Sequence, residues 1–533
     1  MTKQNMNCLE HQRTPHQVGG LGYNILISFR IVTVVFFCLS FLVLPYQVVG
    51  HGSIPRLLLV SMDGFRWDYL NIAHDKWNLK TPNFDQLIAN GSTINNGGMF
   101  NVYVTKTKVN HYSIATGLYA EEHGVVGNHM YDPKTGKRLF KHPDEMDPVW
   151  FDNGTDLEHA PEPIWVTNEK APSTSLFTRR SGTYLWPASY VKINNRHPYK
   201  YVDYEKDIFY TGYKERIERM VEWFVAKEAI NLGLLHIPEP DHTGHYSGPD
   251  SKNMQKTLVM LDGLLGHLIR RLRENHLYDH INLIVTSDHG MTKVYPDKQQ
   301  INFTQYVAAS DARAVGQETV INVFPVKGKE QEVYNKLRNI SHTTTYWKQD
   351  IPDELHYKYN TRIAPIIIEA DPGWQIVTNE TGDYIDKIHG THGYTNKNPD
   401  MHPIFIAHGP AFKRGYKIKQ FNTVDLYPLM CHLLHIKPAK NSGSLENVRN
   451  MLVEEEEEEE HGFFSITALT FIVAVLFTST VAGVFAIAAC RTHRIIRKRP
   501  LRISLQTLED TTNYANDGKT KLLDDYDEED EFS

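Results

Sequence analysis

Cysteine is scarce in this chain of 533 residues, with four in all at Cys8, Cys38, Cys431 and Cys490. Between the apolar stretches near the two ends only Cys431 remains, so no internal disulfide can form there and cysteine-rich secreted modules are excluded. Lying in Leu429-Met430-Cys431-His432, that residue reads as a buried core thiol rather than a reactive one. Charge of one sign is also lacking. A formal net charge of −7 with 22% charged residues is ordinary for a globular protein and supplies no basic field for nucleic acid. No internal repeat is visible along the chain.

Long apolar runs are present only at the ends. Ile31 to Leu44 is an apolar stretch preceded by Arg13 and Arg30 and followed by Val48-Val49-Gly50. It reads as the core of a signal peptide, within a leader of residues 1–50, with cleavage near Gly50; an uncleaved signal anchor is the alternative. Phe463 to Ala489 carries no charge and exceeds the ~20 residues a membrane helix needs. Arg491, Arg494, Arg497, Lys498, Arg499 and Arg502 follow at once, which places the carboxyl terminus in the cytoplasm. The expected layout is an extracellular domain over residues 51–453, an acidic spacer over 454–462, a single type I span over 463–489 and a disordered cytoplasmic tail over 490–533. Glu454 to Glu460 repel one another and hold the spacer extended. Sequons at Asn90, Asn153, Asn302, Asn339 and Asn379 all fall in the extracellular part, and Cys490 at the membrane edge reads equally as palmitoylated or unmodified.

Inside residues 51–453 the pattern alternates between strands and helices. Leu57-Leu58-Leu59-Val60 runs into Ser61-Met62-Asp63-Gly64, and Leu283-Ile284-Val285 runs into Thr286-Ser287-Asp288-His289-Gly290. Short continuous apolar runs suit strands buried on both faces of a parallel sheet, with polar residues delivered past their carboxyl ends. Ile217, Met220, Val221, Phe224 and Val225 recur at helical spacing, as do Leu258, Leu261, Leu265, Leu268 and Leu272. The fold class is therefore α/β, with a mostly parallel central sheet covered by helices on both faces.

The polar residues at the strand ends carry the chemistry. Pro240-Asp241-His242-Thr243-Gly244-His245 and Ser287-Asp288-His289, taken with Asp63, Thr107 and His392, form a set fit for two divalent metals. Zinc accepts imidazole nitrogen and carboxylate oxygen, and two such ions can clamp the attacking and leaving oxygens of a displacement at phosphorus. Alone, Asp288-His289-Gly290 reads equally as an Asx turn and helix cap, and Asp241 and His245 share either a short helix face or a loop.

The motifs together resemble the ectonucleotide pyrophosphatase/phosphodiesterase family, in its short membrane-anchored type. The matching strings are Asp63-Gly64-Phe65-Arg66, Thr105-Lys106-Thr107, Asn110-His111-Tyr112, Thr116-Gly117-Leu118-Tyr119 and His123-Gly124-Val125-Val126-Gly127-Asn128. Glu239-Pro240-Asp241, Ser287-Asp288-His289-Gly290-Met291 and His392-Gly393-Tyr394 follow in the family's order. The resemblance implies an alkaline-phosphatase-like fold and two zinc ions. One would be held by Asp241, His245 and His392, the other by Asp63, Asp288, His289 and Thr107. It further implies that Thr107 is the nucleophile and that Asn128 donates a hydrogen bond to a phosphate oxygen.

Two departures bear on substrate. The resemblance implies an aromatic clamp on a nucleobase, yet the residue after Thr107 is Lys108 and the second clamp position matches His236. Lys108 could instead meet a second phosphate as a point charge, and His236 could still stack. The implied substrates are small extracellular nucleotides, NAD or dinucleotides first, with no nucleic acid and no obligate protein partner. The alternatives are a phospholipid or choline-ester phosphodiesterase and a non-enzymatic adhesion protein.

Overall fold

In a computed structural model of the chain, the residues described are 55–139, 161–173, 177–204, 212–379, 381–454 and 461–496. The apolar stretch Ile31 to Leu44, Asn153, most of the acidic spacer and the tail after Ile496 lie outside them. The chain divides into two units, Met1–Val453 and Glu454–Ser533.

The first unit is organised on an eight-stranded sheet. In chain order its strands are β1 (Arg56–Met62), β2 (Ser92–Ile94), β3 (Ser181–Tyr184), β4 (Lys200–Val202), β5 (Leu232–Ile237) and β6 (Ile281–Thr286), then two later strands, Phe405–His408 and Tyr416–Ile418. A smaller four-stranded antiparallel sheet intervenes, built from β7 (Ala312–Gln317), β8 (Val320–Pro325), β9 (Thr343–Trp347) and β10 (Ile366–Ala370). The late strands of the large sheet are thus β11 (Phe405–His408) and β12 (Tyr416–Ile418), and its order is β12-β2-β11-β6-β1-β5-β3-β4. Of these, β11 alone runs against its neighbours. β1 is central, parallel to both flanking strands, with Ser61 level with His236 of β5 and Thr286 of β6. That register brings three carboxyl ends to one height.

Alternation along the central strands separates two cores. Leu57 and Leu59 of β1, with Leu232 and Leu234 of β5, pack with α3 (Thr107–Thr116), numbered after α1 (Tyr69–Asp75) and α2 (Pro82–Ala89). Leu58, Val60 and Met62 face the other way, toward Ile217, Met220, Val221 and Phe224 and toward Leu258, Leu261, Leu265, Leu268 and Leu272. Those two sets lie on helices Tyr213–Val225 and Lys252–Glu274, as their spacing predicts, except that Val225 is exposed at the end of its helix. Helices therefore cover both faces, and removing one fully buried leucine from β1 would cost about 2–5 kcal/mol. Cys431 is buried and unpaired, and burial pushes its thiol up to about 12, as expected of an inert core cysteine. The smaller sheet, with its own core around Ile321, Val323, Ile366 and Ile368, was not foreseen from the sequence.

His123 gives this core a dependence on acid. It is fully buried; its Nε2 meets Ser113 Oγ of α3 at 2.9 Å and its Nδ1 accepts from the Val125 N–H at 3.1 Å. Burial, and then the Arg362 charge, lower its pKa to about 3. The unfolded chain binds a proton here below about pH 6.5, whereas the folded chain does not until near the lowered value. Stability is therefore lost as pH falls through that window, by at most about 1.4 kcal/mol per pH unit from this ring. Thermal melts from pH 7 to pH 4 should fall less steeply for His123→Gln than for the parent; parallel slopes would refute the assignment.

In the second unit, helix His461–Ile496 contains Ile472–Arg494, a segment long and apolar enough to cross a membrane. It includes much of the uncharged run anticipated from Phe463 to Ala489.

Candidate metal centre

The three central strands deliver their polar ends together. Asp63 follows β1 directly. Asp288 and His289 lie just beyond β6, and Asp241 opens helix Asp241–Ser247 a few residues after β5. Asp241 and His245 are thus one turn apart on a short helix, which resolves the choice between helix and loop. Thr107 is the first residue of α3, and His392 follows the short strand Gly390–Thr391.

Two sets of side chains face each other. His245 Nε2 lies 3.4 Å and His392 Nε2 3.6 Å from Asp241 Oδ1. His289 Nε2 lies 3.4 Å from Asp63 Oδ1, 3.0 Å from Asp288 Oδ2 and 3.3 Å from Thr107 Oγ1. The sets share a wall, because the His289 and His392 rings stack with centroids 3.5 Å apart. Asp241, His289 and His392 can present ligand atoms within 4.8 Å of one another, and so can Asp63, His111 and Asp288.

Hydrogen bonding prepares these atoms for a cation. His245 donates Nδ1–H to Gly390 O at 2.8 Å, His289 to Gly290 O at 2.9 Å and His392 to Thr105 O at 2.8 Å. Each bond fixes the tautomer that leaves the Nε2 lone pair turned inward, the usual support of a metal-bound imidazole. Asp63 Oδ1, Asp241 Oδ1 and Asp288 Oδ2 are buried without a hydrogen-bond partner. Buried carboxylate oxygens left this way are costly unless a cation meets them, so the residues present fit a metal.

Burial and neighbouring groups act differently on the two acids at the ends of the central strands. Burial, then the charges of Asp288 and Asp241, raise the Asp63 carboxyl well above its ordinary range. Burial also opposes the Asp288 charge, but the His289 and His111 imidazoles outweigh it and hold that carboxyl well below. Burial, His289 and Lys106 keep His392 neutral by lowering its pKa. A positive charge beside Asp63 would favour its ionised form.

Among the other residues singled out in the sequence, Asn128 accepts the Lys108 backbone N–H on Oδ1 at 2.9 Å. This bond orients its amide, leaving the NH2 group for another acceptor. Lys108 itself is half-buried on the first turn of α3. His236 requires a correction. It is fully buried in β5, donates Nε2–H to Asp63 Oδ2 at 2.9 Å and packs edge-on against His111 at 5.0 Å. It has no face for a nucleobase and instead steadies Asp63, because in β5 it points into the same layer as Leu232 and Leu234, toward α3.

Sequence reasoning missed His111. It lies one helical turn after Thr107, donates Nδ1–H to Thr107 O at 2.9 Å, and its Nε2 meets Ser61 Oγ at 2.9 Å. With both nitrogens engaged it braces the site at 3.3 Å from Asp288 Oδ2 rather than acting as a ligand. Its place four residues after the threonine was the available signal.

Gly64 closes the loop after β1 with φ +69°, and a Cβ there would stand 2.8 Å from Asp241 Cα. Its N–H also donates to Asp288 Oδ1 at 3.1 Å. Gly64→Ala is expected to displace Asp241 and Asp288 together, lowering metal content and activity at least about ten-fold; wild-type values of both would refute this.

Residues 57–395 match the family described as Type I phosphodiesterase / nucleotide pyrophosphatase. Human ectonucleotide pyrophosphatase/phosphodiesterase family member 5 is 41% identical over 399 residues, covering 74% of this chain and 78% of that protein. The chain belongs to the ectonucleotide pyrophosphatase/phosphodiesterase family. Human bis(5'-adenosyl)-triphosphatase ENPP4 is 39% identical over 404 residues, covering 75% of this family member and 83% of the relative. The solved human ectonucleotide pyrophosphatase/phosphodiesterase 5 superposes with a TM-score of 0.67 at 40% identity, covering 74% of this chain and 99% of its own. A murine counterpart, solved in an inactive threonine-to-alanine form with AMP, gives the same TM-score at 39% identity and covers 75% of this chain and all of its own. This family member is accordingly a hydrolase of phosphoric ester or pyrophosphate bonds with a candidate metal centre.

Proposed function

We propose that this protein is a zinc-dependent ectoenzyme that cleaves phosphodiester or pyrophosphate bonds of extracellular nucleotides, with NAD or dinucleotides as substrates and Thr107 as nucleophile. The observation that carries the reading is the set of three unpartnered carboxylate oxygens and three inward-facing imidazole nitrogens at one edge of the sheet, with His289 Nε2 3.3 Å from Thr107 Oγ1. Asp241, His245 and His392 would hold one ion, and Asp63, Asp288, His289 and Thr107 the other. When bound, the ions would favour the ionised threonine hydroxyl and neutralise charge on the attacking and leaving oxygens. Thr107 Oγ1 then forms a bond to phosphorus in line with the leaving group, whose P–O bond breaks; water later cleaves the phosphothreonine diester and restores the hydroxyl. Asn128, oriented by the Lys108 N–H, donates to a non-bridging phosphate oxygen as charge develops there. The inactive threonine-to-alanine form of the murine relative supports a threonine nucleophile, and its AMP complex supports a nucleotide substrate.

With His236 turned onto Asp63, substrate binding would rest on phosphates more than on base stacking. Lys108 is the proposed contact to a second phosphate, which favours pyrophosphate-linked substrates. Turnover of NAD, dinucleotide polyphosphates, ATP and glycerophosphocholine by the zinc-loaded chain tests this. Preference for glycerophosphocholine over every nucleotide would overturn it.

The proposed placement is extracellular for residues 51–453 and cytoplasmic for 490–533. Asn90, Asn302, Asn339 and Asn379 are all exposed, as N-glycan acceptors need to be. Protease added to intact cells should release a glycosylated domain and spare the tail. A tag at Ser533 that antibody reaches on intact cells would reverse the topology.

A further inference from the structure

The segment Tyr103–Thr107 leading into α3 is gripped by the smaller sheet through two buried acids. Lys106, 4% exposed, donates Nζ–H to Glu318 Oε2 at 2.8 Å, and Glu318 is itself 3% exposed. Three residues earlier, Tyr103 donates its hydroxyl to Glu369 Oε2 of β10 at 3.2 Å. Glu318 and Thr319 form the turn between β7 and β8, and Thr319 Oγ1 donates to His392 O at 3.2 Å. Thr105 completes the junction, accepting from His392 Nδ1 at 2.8 Å on its carbonyl and from the Gly393 N–H at 2.9 Å on its hydroxyl. Lys106 crosses Gly393 so closely that a Cβ there would lie 2.5 Å from Lys106 Cε.

Two features set this pair apart from ordinary packing. Glu318 adopts φ +49°, a turn conformation that glycine or asparagine takes with less strain. A buried ion pair also adds little stability over an apolar pair of the same shape, because desolvation offsets the attraction. What the pair supplies is direction: one turn of the smaller sheet touches both the residue before Thr107 and the backbone of His392.

We propose that Glu318 and Lys106 are positioning residues for the reaction, the Glu318-Thr319 turn fixing Thr107 relative to His392. The proposal rests on Thr107 as nucleophile. It makes the smaller sheet part of the reaction machinery, through contacts that never touch substrate.

The test uses the full chain in detergent with a nitrophenyl nucleotide diester, comparing Glu318→Gln, the double variant Lys106→Met with Glu318→Leu, and Thr107→Ala. Metal content, melting temperature, kcat and KM are read for each. Displacements near 1 Å can cost about a hundred-fold in rate, so Glu318→Gln should lower kcat at least about ten-fold with KM and metal content within about two-fold of the parent. The double variant removes the stranded charge and should regain melting temperature while kcat stays low. Recovery of kcat in the double variant, an unchanged kcat in Glu318→Gln, or a kcat loss matched by metal loss would overturn the proposal. Full activity in Thr107→Ala would instead remove the reading of Thr107, whatever Glu318→Gln shows.

Discussion

Thr107→Ala should lower turnover of a nitrophenyl nucleotide diester by about a thousand-fold or more while the chain still folds and retains metal. Thr107 opens α3, and its replacement leaves the backbone bond from His111 Nδ1 to residue 107 O in place. Asp63, Asp288 and His289 stay close enough to hold an ion without it, with His289 Nε2 at 3.4 Å and 3.0 Å from the two carboxylates. What is lost is the attacking oxygen. Thr107→Ser keeps a hydroxyl at the same point and should retain part of the rate, although loss of the methyl group frees the side-chain rotamer. Equal rates for parent and Thr107→Ala, with metal content equal, would show that another group attacks phosphorus.

Removal of metal should be as severe, and it should also be visible in stability. Elemental analysis of the purified chain should return about two zinc ions, and chelation should abolish activity. A ligand present at a thousand times its dissociation constant adds about 4 kcal/mol to the folded state, so the stripped protein should melt at lower temperature. Added to this are the burial of the Asp63 carboxyl and its repulsion by Asp288 and Asp241, which together raise it well above its ordinary range. Active protein with no bound metal, or an unchanged melting point after stripping, would count against the centre.

Much of the central architecture was legible because it rests on local pattern. Apolar runs ending in Asp63 and Asp288 marked buried parallel strands, and leucines at helical spacing marked Lys252–Glu274. The smaller sheet was not legible. Its strands pair mostly at long range, and β8 and β10 carry apolar runs that periodicity alone does not assign to a separate sheet.

The site divides similarly. Asp63, Asp241, His245, Asp288, His289 and His392 do converge, since strand ends and a short helix bring them to one edge. His236 was misjudged because motif position says nothing about which side of β5 a residue faces; the register with Ser61 decides that. His111, Lys106 and Glu318 were passed over for a related reason. They act through contacts to other residues, and Glu318 reaches Lys106 from a sheet absent from the sequence reading.

The arrangement of strands has a consequence for synthesis. Asp63 emerges from the ribosome early, and Asp241 and Asp288 must wait for β5 and β6, but His392 comes only after the whole smaller sheet has been made. A nascent chain cannot assemble the proposed pair of ions until its last ligand is available. Loading would then act as a late checkpoint: a truncated or stalled product keeps three crowded acids unneutralised and is open to proteolysis, whereas a finished one is locked.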